Sequence, residues 1–376
     1  MKIFIIYASS GAGHKRASEA IYKAFQEENA SGLDIKILDS LNWTNRFFKW
    51  LYPSIYLYSV HYLPSVWGFF YALFDHQKLD YFVSNLRRFL NDINSKKLVQ
   101  FLKGEKPDVI ICTHFFATEV ISDMKRKMNF KTKLISVITD FGVHAFWVSK
   151  EVDRYVVGTE DTKTDLMRRG IEQAKINVLG IPVDPAFSKK VQRDEMCKKL
   201  DIRPGVFTVL IVSGGFGVGP VERLARRISK LNLPDSPLQL LIVCGRNPRL
   251  YEDINGIDFD KNNHVQIYGF VENIDELMSV SDIIISKSGG LTVAESLAKD
   301  LPMIIFSPIP GQEARNCRLL VRYGASIELN RVSQIDAALF KMASSPDILN
   351  KMRESILSIA KPDGARDVVR MVLNYE

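Results

Sequence analysis

The residues best placed to do chemistry begin at His14. It lies in Ser9-Ser10-Gly11-Ala12-Gly13-His14-Lys15-Arg16-Ala17, directly after the apolar run 3–7. A short apolar run followed by glycines predicts a strand turning tightly into a helix, whose first N–H groups face an anion or a developing charge. A neutral imidazole at that mouth can accept a hydroxyl proton near neutral pH. A helix-capping or core histidine fits the same position. The spacing also satisfies a loose G-x-G-x-x-A dinucleotide pattern, with Asp34 or Asp39 as ribose partner, which alone is a weak signal.

A second group follows the apolar run 134–138: Thr139-Asp140-Phe141-Gly142-Val143-His144, with Trp147 beyond it. Asp140 and His144, together with His114 of Cys112-Thr113-His114, are candidates to share a cleft with His14. Polar caps on strand ends are the alternative. Five of the six histidines lie in the first 150 residues, yet no H-E-x-x-H or similar ligand spacing is present. Asp258-Phe259-Asp260 mimics a metal-binding pair but sits among Asn, Gly and Lys, as surface loops do. No metal site is expected.

The strongest phosphate-type signal is Ser286-Lys287-Ser288-Gly289-Gly290-Leu291-Thr292-Val293-Ala294-Glu295. Gly289 and Gly290 free backbone N–H groups, and a helix starting there aims its positive end at the loop, which suits a diphosphate. Glu295, one turn on, suits a ribose diol. Further turns follow other apolar runs: Ser213-Gly214-Gly215-Phe216-Gly217-Val218-Gly219, Cys244-Gly245-Arg246-Asn247, and Tyr268-Gly269-Phe270-Val271, which offers backbone groups to a flat base. Pro308-Ile309-Pro310-Gly311-Gln312-Glu313-Ala314-Arg315-Asn316 sets amide and carboxylate groups suited to sugar hydroxyls. Ligands bind at the carboxyl ends of strands in open α/β sheets, so these turns together predict a nucleotide-sugar site.

The elements that must position these residues are legible as short apolar runs alternating with helix-length amphipathic segments. Runs 3–7, 35–38, 109–112, 134–138 and 154–157 fall in the first half; 208–212, 240–244, 265–268, 283–286 and 303–306 fall in the second. That alternation predicts βαβ units and parallel sheets, an α/β doubly wound fold occurring twice. The expected division is a first domain over 1–181, a linker over 182–204, a second domain over 205–361, and a helix over 362–376 packing back on the first. Four scattered cysteines without a C-x-x-C pair fit a reducing compartment, and no signal peptide is read at the N-terminus.

One segment departs from the alternation. Residues 43–82 hold 15 of the 39 aromatic side chains, and no Asp, Glu, Lys or Arg occurs from Trp50 to Phe74. Pro53, Pro64, Gly68, His61 and several tyrosines argue against a membrane-spanning helix. Tyr and Trp favour the water–lipid interface. An insertion that dips into a membrane surface or cradles a lipid is one reading; an aromatic helical pair packed on the core or on a second subunit is the other.

Taken together, these blocks resemble the diacylglycerol glycosyltransferases, a family that includes processive glucosyltransferases and monogalactosyldiacylglycerol synthases. The resemblance covers nearly the whole chain. It rests on Ser10 through His14, the aromatic insertion, Thr139-Asp140, Gly214-Gly215 with Gly217 and Gly219, Cys244 through Asn247, Lys287 through Glu295, and Pro310 through Glu313 with Asn316. It implies a GT-B fold of two Rossmann-like domains facing a cleft. It also implies a UDP-glucose or UDP-galactose donor in the second domain, diacylglycerol in the first, and inversion at the anomeric carbon without a metal or other cofactor. By this resemblance His14 is the catalytic base and Asp140 its support near the acceptor. Gly214, Gly215, Arg246 and Asn247 belong to the donor site. Phe270 and Val271 contact uracil, Glu295 the ribose, Gly290 through Thr292 (Leu291 between them) the diphosphate, and Gln312 with Glu313 the sugar, with Ser288 and Gly289 in the same donor site. Ser288 departs from the family, where many members carry proline.

Other readings use the same features. A lipid-linked muramoyl-pentapeptide N-acetylglucosaminyltransferase shares the scaffold, and a UDP-sugar 2-epimerase uses two Rossmann-like domains without a lipid. A dinucleotide-dependent oxidoreductase rests on the first glycine loop alone, and a non-catalytic lipid binder on the aromatic segment alone.

Charge distinguishes the two halves. The first 150 residues carry 20 basic and 13 acidic side chains, the remainder 30 of each. Between Arg87 and Lys133 there are 11 basic residues against 5 acidic. A basic surface beside interfacial aromatics is suited to anionic membrane lipid, which predicts a cytoplasmic protein peripheral on the inner face of the cell membrane. No nucleic-acid motif accompanies the charge, so no nucleic-acid partner is expected.

Overall fold

The computed structural model describes residues 1–9, 11–28, 32–75, 91–214, 219–231 and 237–374. The chain forms two compact units. One comprises residues 1–185, 309–315 and 361–376; the other comprises 186–308 and 316–360.

The first unit is built on a parallel sheet of six strands: β1 (Lys2–Tyr7), β2 (Asp34–Asp39), β3 (Val109–Cys112), β4 (Lys133–Val137), β5 (Arg154–Val157) and β6 (Ile176–Val178). Their spatial order is β2-β1-β3-β4-β5-β6. The register pairs Ile3 with Ile35 and Ile5 with Ile111. Strand β1 is apolar from Ile3 to Ile6 because both of its faces are covered there. Phe4 and Ile6 join the cluster containing Leu98, Leu102, Phe116 and Val120. Ile3 and Ile5 join the opposite cluster with Ile21, Ala24, Val368 and Val372. Each such side chain taken fully out of water contributes roughly 1.5–3 kcal/mol. The helix Gly364–Leu373 thus closes one face of this sheet beside the helix Ala12–Glu27.

The aromatic segment folds as two helices, Arg46–Tyr62 and Pro64–Phe74. Asn45 caps the first through a bond from the Phe48 N–H at 2.7 Å, and Pro64 opens the second. Their outward faces are strongly apolar: Phe47 is 68% exposed, Trp50 66%, Tyr58 60%, Tyr62 64% and Phe69 63%. Residues 76–82 of the segment lie outside the described residues. No helix among the described residues is long and apolar enough to cross a membrane.

The second unit carries another parallel six-stranded sheet: β7 (Thr208–Val212), β8 (Gln239–Val243), β9 (His264–Tyr268), β10 (Ile283–Ser286), β11 (Met303–Phe306) and β12 (Ser326–Leu329). The order is β12-β11-β10-β7-β8-β9. Its core gathers Val209, Ile211, Leu240, Ile242, Ile283, Ile285 and Ile304. The expected α/β doubly wound architecture, occurring twice, is therefore observed. The edge strands β6 and β12 are additional to the runs read from sequence. Each interrupts its apolar residues with a polar one, Asn177 or Glu328, as a half-covered edge allows. All four cysteines are buried free thiols.

Candidate active site

In each sheet the strand order reverses direction at one place: between β1 and β3 in the first unit, and between β7 and β10 in the second. The loops leaving the carboxyl ends of such a pair run apart and leave a crevice. His14 follows β1, and Thr113 follows β3, so the reversal itself brings them together.

His14 sits in the first turn of the helix Ala12–Glu27, behind a glycine N-cap with no side-chain bond. The helix is amphipathic, burying Ala17, Ser18, Ala20, Ile21, Ala24 and Phe25, which turns His14 toward the strand ends. Its Nδ1–H donates to the Thr113 carbonyl at 2.8 Å, with Thr139 Oγ1 at 2.9 Å from the same nitrogen. The Thr113 hydroxyl in turn donates to the His14 carbonyl at 2.9 Å and lies 2.9 Å from Ser18 Oγ. This arrangement fixes the tautomer: Nδ1 carries the proton and Nε2 keeps the lone pair.

Burial lowers the His14 pKa below 6.5, and the nearby Asp140 carboxylate only partly opposes it, so the ring is neutral at pH 7. The His114 ring meets it edge-on at 4.5 Å, and the Trp147 ring lies 6.4 Å away. His114 is buried at the N-cap of the helix Phe115–Met128, where its Nδ1 accepts from the Phe116 N–H at 3.0 Å. Burial first, then its neighbour His14, holds it well below the usual histidine range.

His144 does not join this group by hydrogen bond. Its Nδ1 accepts from the Phe146 N–H at 3.2 Å and its Nε2–H donates to the Tyr71 carbonyl at 3.0 Å. Of the two sequence readings, a polar cap and a residue sharing a cleft with His14, the cap is observed, on the 3₁₀ turn Ala145–Trp147. Burial lowers its pKa to about 4, with Asp75 pulling the other way.

Beside it lies a knot of charge. Asp75 accepts from Arg169 Nη2 at 3.1 Å and from Arg315 Nη2 at 2.5 Å, and takes the Ala145 N–H at 2.8 Å. Burial pushes the Asp75 carboxyl up, but the hydrogen bonds from Arg169 and Arg315 outweigh it and hold it below its ordinary value. Nothing in the local sequence of Asp75 signals this role except that it is the first charge after the uncharged stretch.

In the second unit the expected donor residues cluster at the carboxyl ends of β7 to β10. Hydroxyls latch the strand ends together: Ser213 donates to the Val243 carbonyl at 3.1 Å and Ser286 to the Val212 carbonyl at 3.0 Å. Gly214 leaves β7 with φ +72°. Gly215 lies outside the described residues. The Lys287 side chain passes close over Gly219, where a Cβ would stand 3.3 Å from its Cε.

Gly289 is the N-cap of the helix Gly290–Ala298 and offers no side-chain bond, so among the described residues the first N–H groups, those of Gly290, Leu291 and Thr292, are left to an outside acceptor. Asn316 Nδ2 donates to the Ser288 carbonyl at 2.9 Å and pins the loop from beneath, both residues being fully buried. Glu295 is buried in the second turn of that helix.

Asn247 caps the helix Pro248–Asn255 through its Oδ1, which accepts the Leu250 N–H at 3.1 Å. Arg246 lays its guanidinium 4.4 Å from the centre of the Phe270 ring, which is 52% exposed; Val271 is half-buried. A cation stacked on an exposed ring is a ready platform for a flat base. Asp260 Oδ1 is occupied by the Asn262 N–H at 2.8 Å, and among the described residues no three His, Cys, Asp or Glu converge as a metal set.

Gln312 and Glu313 open the helix Gln312–Tyr323, and their segment, 309–315, belongs to the first unit. Glu313 Oε2 accepts the Ile309 N–H at 2.8 Å and closes the preceding turn.

Two Rossmann-like units, each a parallel six-stranded sheet with one strand-order reversal, define a GT-B fold. The fold resembles Acinetobacter baumannii MurG, with TM-score 0.63 and 16% identity over 99% of each chain. It also resembles UDP-GlcNAc 2-epimerase from Neisseria meningitidis bound to UDP-GlcNAc, with TM-score 0.60 and 16% identity over 99% of this chain and 100% of that one. Residues 14–183 match the monogalactosyldiacylglycerol (MGDG) synthase family, and residues 208–365 match the glycosyltransferase family 28 C-terminal domain. Over 373 residues the chain is 30% identical to a processive diacylglycerol beta-glucosyltransferase of Bacillus cereus (strain 03BB102), covering 99% of this chain and 93% of the relative. The chain belongs to the diacylglycerol glycosyltransferase family and is a glycosyltransferase.

Proposed function

We propose that the protein transfers a hexosyl group from a UDP-sugar to diacylglycerol at a membrane surface, with inversion, giving a β-glycosyl-diacylglycerol. The observation that carries this reading is the His14 geometry: a neutral ring, its Nδ1–H held by the Thr113 carbonyl, presenting Nε2 as a proton acceptor. Nε2 takes the acceptor hydroxyl proton as that oxygen attacks the anomeric carbon, and the bond from that carbon to the β-phosphate oxygen breaks, releasing UDP. Asp140 stabilises the imidazolium that forms.

The diphosphate charge is assigned to the free N–H groups from Gly290 to Thr292 and the helix behind them, without a metal. Phe270 and Val271 receive the uracil, Glu295 the ribose, Gly214, Arg246 and Asn247 line the same site, and Gln312 with Glu313 read the hexose. The full-length relative named as a glucosyltransferase supports glucose over galactose, and its description as processive supports a second addition to the first product.

The exposed aromatic faces of Arg46–Tyr62 and Pro64–Phe74 support seating in the lipid interface. The basic excess after them supports anionic lipid and the inner leaflet. Part of it is neutralised locally, since Lys125 pairs with Asp153, Arg126 with Asp123 and Lys127 with Asp92. The test is UDP release from UDP-glucose over vesicles with and without diacylglycerol. Release that requires diacylglycerol supports the reading; release indifferent to it rejects the acceptor.

A further inference from the structure

The helix Pro64–Phe74 presents two different faces. Val66, Phe69 and Phe70 point outward, while Gly68 and Tyr71 press on the segment 309–315. A Cβ on Gly68 would stand 2.6 Å from Pro310 Cβ. A Cβ on Gly311, which has φ +104°, would stand 2.9 Å from the Tyr71 ring. Both approaches are closer than side-chain carbons tolerate, so glycine is what lets the helix and the segment touch.

The contact is then locked by charge. Asp75, one residue beyond the helix, bonds Arg315, whose Nη1 donates to the Val143 carbonyl at 2.8 Å and whose guanidinium lies 5.1 Å from the centre of the Tyr71 ring. Arg169 holds the same carboxylate and the same carbonyl, at 3.1 and 3.2 Å.

Gln312 lies one helical turn before Arg315, and fixing one end of a turn fixes the other. We propose that Asp75 and Arg315 are positioning residues that seat Gln312 and Glu313 against the donor hexose, with the lipid-facing helix as their support. This rests on the assignment of Gln312 and Glu313 to the sugar. It adds that hexose recognition depends on a carboxylate carried by the aromatic insertion, remote in sequence from every donor motif. A part-buried pair of this kind, with one Arg315 nitrogen on one Asp75 oxygen and the other on the Val143 carbonyl, holds geometry better than an exposed one, because losing the carboxylate removes the partner of a partly desolvated charge.

The experiment compares binding of UDP and of UDP-glucose to the full chain by calorimetry, for the unaltered protein, Asp75→Asn and Gly68→Ala. Asp75→Asn removes the charge; Gly68→Ala wedges the helix from Pro310 while leaving the charge and favouring the helix. The expected result in both variants is an affinity for UDP-glucose reduced about tenfold, with affinity for UDP unchanged, the tenfold corresponding to about 1.4 kcal/mol. Unchanged affinity for both ligands overturns the proposal. So does a parallel loss for both, which marks general damage. If the unaltered protein itself gains nothing from the hexose over UDP, the assignment of Gln312 and Glu313 falls first and takes this one with it.

Discussion

His14 Nδ1 lies 2.8 Å from the Thr113 carbonyl oxygen, and that one bond decides which ring nitrogen is basic. A carbonyl only accepts, so the proton stays on Nδ1 and the lone pair on Nε2. Replacing His14 by alanine is expected to lower kcat by at least about 100-fold, the usual scale for losing an acid–base group. UDP binding, which the proposed assignment gives to the other unit, is expected to be retained. Near-normal turnover rejects the base assignment.

The pH profile follows from the same ring. Burial holds the His14 pKa below 6.5, so kcat rises with pH through that lowered value and falls on acidification as the base becomes protonated. Asp140 raises the His14 pKa. Asp140→Asn therefore moves the acid limb to lower pH and lowers the plateau, since a weaker base takes the proton less readily. A limb that stays in place or moves upward contradicts the pairing.

Much of this is legible in the amino-acid sequence alone. The run of residues 3–7, buried on both faces, and the glycines behind it mark the strand and turn that present His14. The Ser288-Gly289-Gly290 loop marks a helix N-terminus in the same way. The capping role of His144 is not legible, because nothing in its neighbours marks the short 3₁₀ turn Ala145–Trp147 that it caps. The Asp75–Arg315 bond is equally hidden, because its partners are separated by 240 residues and no periodicity connects them.

Membrane seating is expected to depend on the outward aromatic face. Trp50→Ser with Phe69→Ser removes two side chains that are 66% and 63% exposed and hold no core together. Vesicle cosedimentation is expected to weaken by at least about tenfold while far-UV circular dichroism is unchanged, since each aromatic contributes a large apolar area at the interface. Binding of the unaltered protein to anionic vesicles is expected to exceed binding to neutral ones and to fall with salt. Equal affinity for both vesicles rules out a role for anionic lipid.

Stability carries a signature of His144. Its folded pKa is about 4 against 6.5 when exposed, so the unfolded chain takes up the proton first. The contribution is complete above 6.5 and is lost as pH falls toward about 4. In His144→Asn the fall of Tm across that window is expected to be shallower. A slope identical to that of the unaltered protein contradicts the buried neutral state.

Transfer of a hexose to diacylglycerol with inversion leaves its record in the product. The decisive measurement incubates the protein with diacylglycerol vesicles and UDP-glucose and reads the product's anomeric proton by NMR. A β-linked glucosyl-diacylglycerol accumulating with stoichiometric UDP is expected. An α-linked product, or interconversion of the free UDP-sugar with no glycolipid formed, contradicts the proposed reaction.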